Sequence, residues 1–367
     1  MKKIFIPIIS LFILASCESP KYKIGVFEGN GGAVSCIRET VSAINIDSDM
    51  EAILIHTSDI ANGILEEIDA IVIPGGGGSR QFLNLGAENH KRIIDFIQNG
   101  GGALGICAGA YLFSDTPEYA SIKINGAKAI DIEHDNRGHG MSKFTLSAIG
   151  KDLFPELAKK DTCFVIYYEG PVFVKNDNSD IEYSTFATME SDVHEEGNAP
   201  ANMTNNKPFF IGNELGEGRV FSSIAHPEAT PGMAWMVPRM LRWTLRLPYK
   251  EYSKEAITAA IRPFEILMNI EDLRYEASLF KTFLYGSAEE KVLALDWLES
   301  HYSWDAKSWI QGLLFDASPA VRSRTAKYIA NMQYLPFLND LKVAYSVEQD
   351  SETKKVMRKA IKYLDKI

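Results

Sequence analysis

The chain has 367 residues, 46% of them hydrophobic, which is enough for two domains with their own cores and excludes a disordered polypeptide. Its 38 Lys and Arg against 48 Asp and Glu give a net charge of −10 with no basic block, so nucleic acid is not an expected partner. The four cysteines, Cys17, Cys36, Cys107 and Cys163, show no CxxC pair and no regular spacing. Neither a zinc site nor a disulfide framework follows from them, and each needs its own explanation.

Lys2 and Lys3 precede an apolar run from Ile4 to Leu14, too short to span a bilayer but right for a signal-peptide core. The run ends in Leu14-Ala15-Ser16-Cys17, which resembles the lipobox of bacterial lipoproteins. That resemblance implies a signal peptide over 1–16, a lipidated Cys17 opening a linker over 17–22, and a membrane partner reached through acyl chains rather than a polybasic patch. An ordinary secretory signal cleaved after a small residue is the alternative. Loss of Lys2 and Lys3 takes the net charge from −10 to −12. The expected location is the bacterial cell envelope, and Glu18 after Cys17 favours the outer over the inner membrane.

From Lys21 onward, short apolar runs at Lys23 to Phe27, Ala52 to His56 and Ala70 to Ile73 alternate with amphipathic stretches at Val34 to Ile44 and Lys91 to Ile97. The alternation predicts a flavodoxin-like, doubly wound parallel sheet covered on both faces, with ligands meeting the chain at the strand ends. Two of those ends run into glycine clusters, Glu28-Gly29-Asn30-Gly31-Gly32 and Gly75-Gly76-Gly77-Gly78-Ser79. Glycine admits positive φ and close backbone approach, yet neither cluster fits a phosphate fingerprint, and no cofactor is expected. A plain turn is the alternative for each.

Next comes Gly102-Ala103-Leu104-Gly105-Ile106-Cys107-Ala108-Gly109-Ala110-Tyr111, an apolar strand meeting a cysteine flanked by glycines two residues either side. This is the pattern of a nucleophile elbow, with a helix N-terminus that favours thiolate. Taken alone, a buried structural cysteine fits almost as well. Asp131, Glu133, His134, Asp135 and His139 crowd one polar stretch, but their spacing matches no familiar metal site and a solvated loop near the cleft is expected. Far downstream, a turn at Gly216 to Gly218 and a strand from Arg219 to Ala225 end in His226-Pro227-Glu228, a histidine with a carboxylate placed to orient it.

With GICAG and HPE in view, the chain resembles the class I glutamine amidotransferase-like superfamily. The strings Phe27-Glu28-Gly29, Gly105 to Tyr111, Tyr167-Tyr168-Glu169-Gly170-Pro171 and Gly216-Glu217-Gly218-Arg219-Val220 narrow the resemblance to the biotin-protein ligase N-terminal domain family, over residues 23–247. It implies Cys107 as nucleophile, His226 as general base, Glu228 as orienting carboxylate, and an oxyanion hole from the Ala108 N–H with a backbone N–H of the Gly75 to Gly77 loop, Gly75 or Gly76 foremost. Glu28 and Glu169, by the same resemblance, and Tyr111 are expected as substrate contacts, and no metal is expected. Tyr111 stands where glutamine-using relatives carry Gln, which disfavours glutamine as substrate, and Ala108 disfavours the intracellular-protease branch, which has His there. An exported lipoprotein meets no ATP-dependent synthase, so the expected activity is stand-alone thiol-dependent hydrolysis of a small or peptide-like amide. The alternative is a non-catalytic binding or scaffold module. Cys36, beside Ile37 and Val41, and Cys163 are expected in the core.

After Leu247-Pro248 the pattern is helical, with amphipathic segments near 255–268, 272–283, 289–299, 305–315, 320–332, 336–345 and 352–364. Asp316 and Ala326 recur 34 residues on as Asp350 and Ala360, so 252–367 resembles a HEAT-like helical repeat domain. Such a domain is expected to offer a surface to a protein partner or to cover the pocket, with a merely stabilising cap as the alternative. Trp297, Trp304 and Trp309 are expected in inter-helix packing.

Overall fold

The computed structural model describes residues 21–258 and 264–367. The expected signal peptide and Cys17 lie outside the described residues. The first region contains β1 (Tyr22–Phe27), α1 (Val34–Ile44), β2 (Met50–Ile55), α2 (Thr57–Ala61), β3 (Ala70–Ile73), α3 (Gly78–Leu85), α4 (Ala87–Gln98), β4 (Gly102–Ile106) and α5 (Ala108–Phe113). It continues through β5 (Ala127–Ala129), β6 (His139–Leu146), α6 (Ala148–Leu153), β7 (Cys163–Tyr168), β8 (Phe173–Lys175), β9 (Ser184–Met189), β10 (Lys207–Leu215), β11 (Gly218–Ser223) and α7 (Met236–Thr244).

The sheet is mixed rather than all parallel. Strands β2, β1, β3, β4 and β11 lie side by side in parallel, and β10, β9, β6 and β7 extend the sheet antiparallel. Strands β10 and β11 are joined by the tight turn at Leu215 to Gly218, so no crossover helix separates them and antiparallel pairing follows. Strands β5 and β8 pair separately.

Both faces of the parallel half are buried, which is why its strands read as unbroken apolar runs. Ile24, Val26, Val72, Leu104 and Ile106 point to one face, with Ile37 of α1 and Met236, Val237, Met240 and Leu241 of α7. Ile71, Ile73, Ala103 and Val220 point to the other, with Ile93 and Ile97 of α4 and Leu112 and Phe113 of α5. The strand carboxyl ends therefore share one rim, and the chemistry-bearing segments all emerge there.

The second region is α8 (Ile270–Tyr285), α9 (Ala288–Ser300), α10 (Lys307–Leu313), α11 (Pro319–Asn331), α12 (Leu338–Val347) and α13 (Ser351–Leu364). Helices α9, α11 and α13 stack in one layer, with α8, α10 and α12 against it. Leu295, Leu298, Ile310, Val321, Ile329, Leu341 and Met357 share one core. Asn269 and Ser287 form capping boxes with Asp272 and Glu290, and Asp350 accepts the Thr353 N–H, so helix starts are fixed by side-chain acceptors on orphan donors.

A helix was expected over 255–268. Residues 259–263 lie outside the described residues, but Ile266–Leu267 form a strand, β12, paired antiparallel to Met141 and Gly140 of β6. Met141 pairs with β7 on its other side, so β12 lies on the flank of β6 that β9 occupies further along. Unpaired backbone donors and acceptors of β6 outweigh the helical preference of two residues.

The two regions meet over α1. Lys307 Nζ lies 2.7 Å from Glu39 Oε1, both buried, and Arg38 Nη2 donates to the Pro336 carbonyl at 2.9 Å. The Gln333 side chain accepts from the Gly232 N–H and donates to the Glu255 carbonyl.

Candidate active site

The position of Cys107 is dictated by glycines. Cys107 links β4 to α5 with φ 52° and ψ −105°, a left-handed conformation that costs about 1–3 kcal/mol for a residue with a Cβ and persists only where the surroundings enforce it. A Cβ on Gly105 would sit 2.6 Å from the Gly109 carbonyl oxygen, and one on Gly109 would sit 2.0 Å from the Ile73 carbonyl oxygen. The turn is therefore compatible with no other residue at these two positions. The Cys107 N–H donates to the Ser223 carbonyl at 2.8 Å, tying the elbow to β11, and its thiol faces the Tyr168 carbonyl at 3.5 Å.

His226 follows β11. Its N–H donates to Ile166 and its carbonyl accepts from the Thr230 hydroxyl at 2.7 Å, while Pro227 to Ala229 coil into a single helical turn that brings Glu228 back under the ring. His226 Nδ1 lies 2.7 Å from Glu228 Oε1, with the side chains 2% and 0% exposed. The ring is within hydrogen-bonding reach of two thiols, Cys107 and Cys36. Burial opposes charge on the imidazole, but the Glu228 carboxylate, then Cys107 and Cys36, outweigh it and hold its pKa well above the usual value. Cys36 was expected in the core. It is buried, but on the rim-facing end of α1, where it lines the pocket; burial pushes its thiol up against the pull of His226. Cys163 is buried in the sheet core as expected.

The two glycine clusters lock together. The Ala33 N–H donates to Gly75 at 3.0 Å and the Gly77 N–H to Gly31 at 2.7 Å, and a Cβ on Gly76 (φ 145°) would meet the Gly31 oxygen at 2.1 Å. This pairing leaves the Gly76 N–H with no partner among the described residues, as is the Ala108 N–H at the first turn of α5. Gly75 lies against His226 and Cys36, and Gly76 and Ala108 line the pocket.

That pocket has a volume of about 290 Å³, with Cys36, Cys107, Tyr111, Glu169, His226 and Trp304 in its wall. Tyr111 lines it, but its hydroxyl donates to buried Asp131, which also pairs with Arg137 at 2.6 Å. Arg137 in turn holds Tyr167 and the Gly170 carbonyl. The polar stretch at 131–139 is solvated over Ile132, Glu133, Asp135 and Asn136, as expected of a loop near the cleft, but Asp131 and Arg137 are fully buried, because together they satisfy each other and the segment carrying Tyr168 and Glu169. Glu169 has φ 50° and no hydrogen-bonding partner for its carboxylate among the described residues; burial, then the charge of Glu196, pushes its carboxyl up to about 7.

Two expectations fail. Glu28 does not reach the pocket: it lies half-exposed against His56, because the chain turns away at Gly29 and Gly31 to make the latch with Gly76. Trp304 is not simply inter-helix packing. It comes from the helical region, its ring centroid 4.7 Å from that of His226 and 5.1 Å from that of Tyr168, with Lys307 Nζ 3.6 Å above its face. Trp297 and Trp309 do pack between helical side chains, against Tyr275 and Phe280. The nearness of Trp304 and Lys307, three residues apart in a half-apolar segment, was the only hint in the sequence.

No curated protein sequence matches the chain. Among solved structures it is similar to a putative ThuA-like protein from Parabacteroides merdae, at 14% identity over 65% of this chain and 94% of that one, with a TM-score of 0.46. It is also similar to the glutaminase domain of CTPS from Trypanosoma brucei, solved with bound acivicin, at 13% identity over 64% and 98%, with a TM-score of 0.40. The model of one sequence family, described as biotin-protein ligase, N terminal, matches residues 22–242, well over half of the chain and every residue of the elbow and of the histidine–glutamate pair. The protein belongs to the biotin-protein ligase N-terminal family.

Proposed function

We propose that the protein is a thiol-dependent amide hydrolase acting on a small or peptide-like substrate. The observation that carries this reading is a cysteine forced into an elbow beside a buried histidine–glutamate pair, with Cys107 and His226 in the wall of one pocket. His226 takes the Cys107 proton as the sulfur attacks the amide carbonyl carbon, and the charge that develops on oxygen meets the Ala108 and Gly76 N–H groups. The same proton goes to the leaving nitrogen as the C–N bond breaks, leaving a thioester. Water, deprotonated by His226, then releases the acid and restores the thiol. Glu228 holds the ring and stabilises its charged form. Tyr111, committed to Asp131, contacts substrate through its ring rather than its hydroxyl, and Glu169 offers the polar contact. A cavity of about 290 Å³ suits a small acyl group. The reading includes a lipid anchor at Cys17, a place at the cell envelope on the outer membrane, and helical repeats that present a surface to a protein partner.

The test is alkylation of Cys107 by iodoacetamide at pH 6.5, followed by mass spectrometry, alongside screening of small amides. Rapid modification that His226→Ala slows at least about ten-fold supports the enzyme. A Cys107 whose rate ignores His226 supports a binding module with the same fold.

A further inference from the structure

We propose that Cys36, His226 and Glu228 form a binding site for a thiophilic divalent cation, zinc in the first instance, whose occupation shuts off the thiol chemistry. The three side chains sit in one buried cluster, and one ligand atom from each lies within 4.8 Å of the others. Tetrahedral zinc, with bonds of about 2.3 Å to sulfur and 2.0–2.2 Å to nitrogen and oxygen, sets its donors about 3.3–3.6 Å apart, so closing on an ion requires movements of an ångström or so.

Three features favour an ion over mere packing. Cys36 contributes no disulfide and is not needed as the nucleophile, yet it is aimed at the ring rather than into the apolar core. Glu228 uses Oε1 to hold His226, while Oε2 is buried with no hydrogen-bond partner among the described residues, an uncommon and costly state for a carboxylate oxygen. Gly75 backs the space: a Cβ there would meet His226 Cε1 at 2.8 Å and Cys36 Sγ at 2.9 Å. One thiolate, one imidazole and one carboxylate make a borderline-soft set that selects zinc or cobalt over magnesium or calcium. Three protein ligands beside an open pocket leave the fourth position to water.

The chemistry balances. The ion takes the place of the proton between His226 Nδ1 and Glu228, which moves to Nε2, and of the proton of the Cys36 thiol, which leaves to solvent. The remaining ring proton is then on Nε2, so the imidazole has no lone pair with which to deprotonate Cys107. This consequence rests on the hydrolase reading; the binding site itself does not.

The experiment titrates the full chain with cobalt(II) and follows the thiolate-to-cobalt charge-transfer absorption, with equilibrium dialysis of zinc for stoichiometry. One equivalent per chain, retained in Cys107→Ser, lost in Cys36→Ser and weakened at least about ten-fold in Glu228→Gln, is the expected result. Cys36→Ala, checked for an unchanged thermal transition, guards against loss through misfolding. Absence of the band at micromolar cobalt, or a band that survives both Cys36 variants, overturns the site. Zinc should also slow alkylation of Cys107 at least about ten-fold in the parent and leave it unchanged in Cys36→Ser, whereas equal slowing in both overturns the shut-off. Failure of every amide substrate would sink the hydrolase reading and leave the cobalt spectrum as it is.

Discussion

The sheet region and the helical region build the same pocket by different means. In the sheet region the backbone does the positioning: Gly105 and Gly109 leave room for one turn only, and the Gly31–Gly76 latch fixes which N–H groups face the site. The helical region contributes side chains across an interface. Trp304 and Lys307 reach over α1, and their placement depends on one buried ion pair with Glu39 rather than on a strained chain. Backbone crowding makes a position all-or-none, whereas a side-chain wall is adjustable, so the reaction should reside in the first region and selectivity in the second.

The largest effect tests that division. Cys107→Ser should remove amide hydrolysis by about 10³-fold or more with the melting temperature nearly unchanged, because the fold does not depend on sulfur. Activity surviving in that variant would break the comparison. Gly109→Ala, whose Cβ would meet Ile73 O at 2.0 Å, should destabilise by about 3 kcal/mol or prevent folding, read by urea denaturation.

Lys307→Met comes next. It leaves Glu39 buried without its cation and should cost about 3–5 kcal/mol near neutral pH. Burial, opposed by Lys307, already raises the Glu39 carboxyl above its ordinary value, so the folded state holds a proton that the unfolded state releases, and stability falls as pH rises through that window. Denaturation of the variant at pH 5 and pH 8 should show the smaller loss at pH 5. Equal losses would mean that the ion pair does not join the regions.

Trp304→Ala should speed alkylation of Cys107 by a bulky maleimide about ten-fold relative to iodoacetamide, since a wall is removed and the elbow is untouched. The smallest effect has the opposite sign. Gly312, in α10, has nothing within 4 Å of a built Cβ and an ordinary φ, so Gly312→Ala should stabilise by about 0.5–1 kcal/mol. The same substitution is thus disruptive in one region and helpful in the other.

What the sequence reveals follows the same line. The elbow, the His226–Glu228 pair and the parallel strands are legible because each needs particular residue types at fixed spacing. Trp304 and Lys307 are not, since an aromatic and a cation three residues apart look the same whether they face a neighbouring helix or a distant pocket. Cys36 is buried as its apolar helix face implies, but that face gives no sign of which end overlooks the site. Glu28 failed for the converse reason: a carboxylate at a strand end follows the loop, and here the glycines after it turn the chain away. The antiparallel half of the sheet escaped notice because its strands are separated by irregular stretches without crossover helices.

Strand β12 has a consequence for dissection and recombination of this protein. Its two residues come after the α/β segment has ended in sequence, yet they pair with Gly140 and Met141, where a Cβ on Gly140 would meet the Ile266 oxygen at 2.2 Å. A fragment stopping at Leu247 would leave that length of β6 bare on one side and expose Met141 and Ile166, which pack into the helical core. The seam between the halves is therefore a woven one. Exchange of the helical half between relatives should succeed only when the graft point precedes Ile266 and the incoming chain brings its own two-residue stitch.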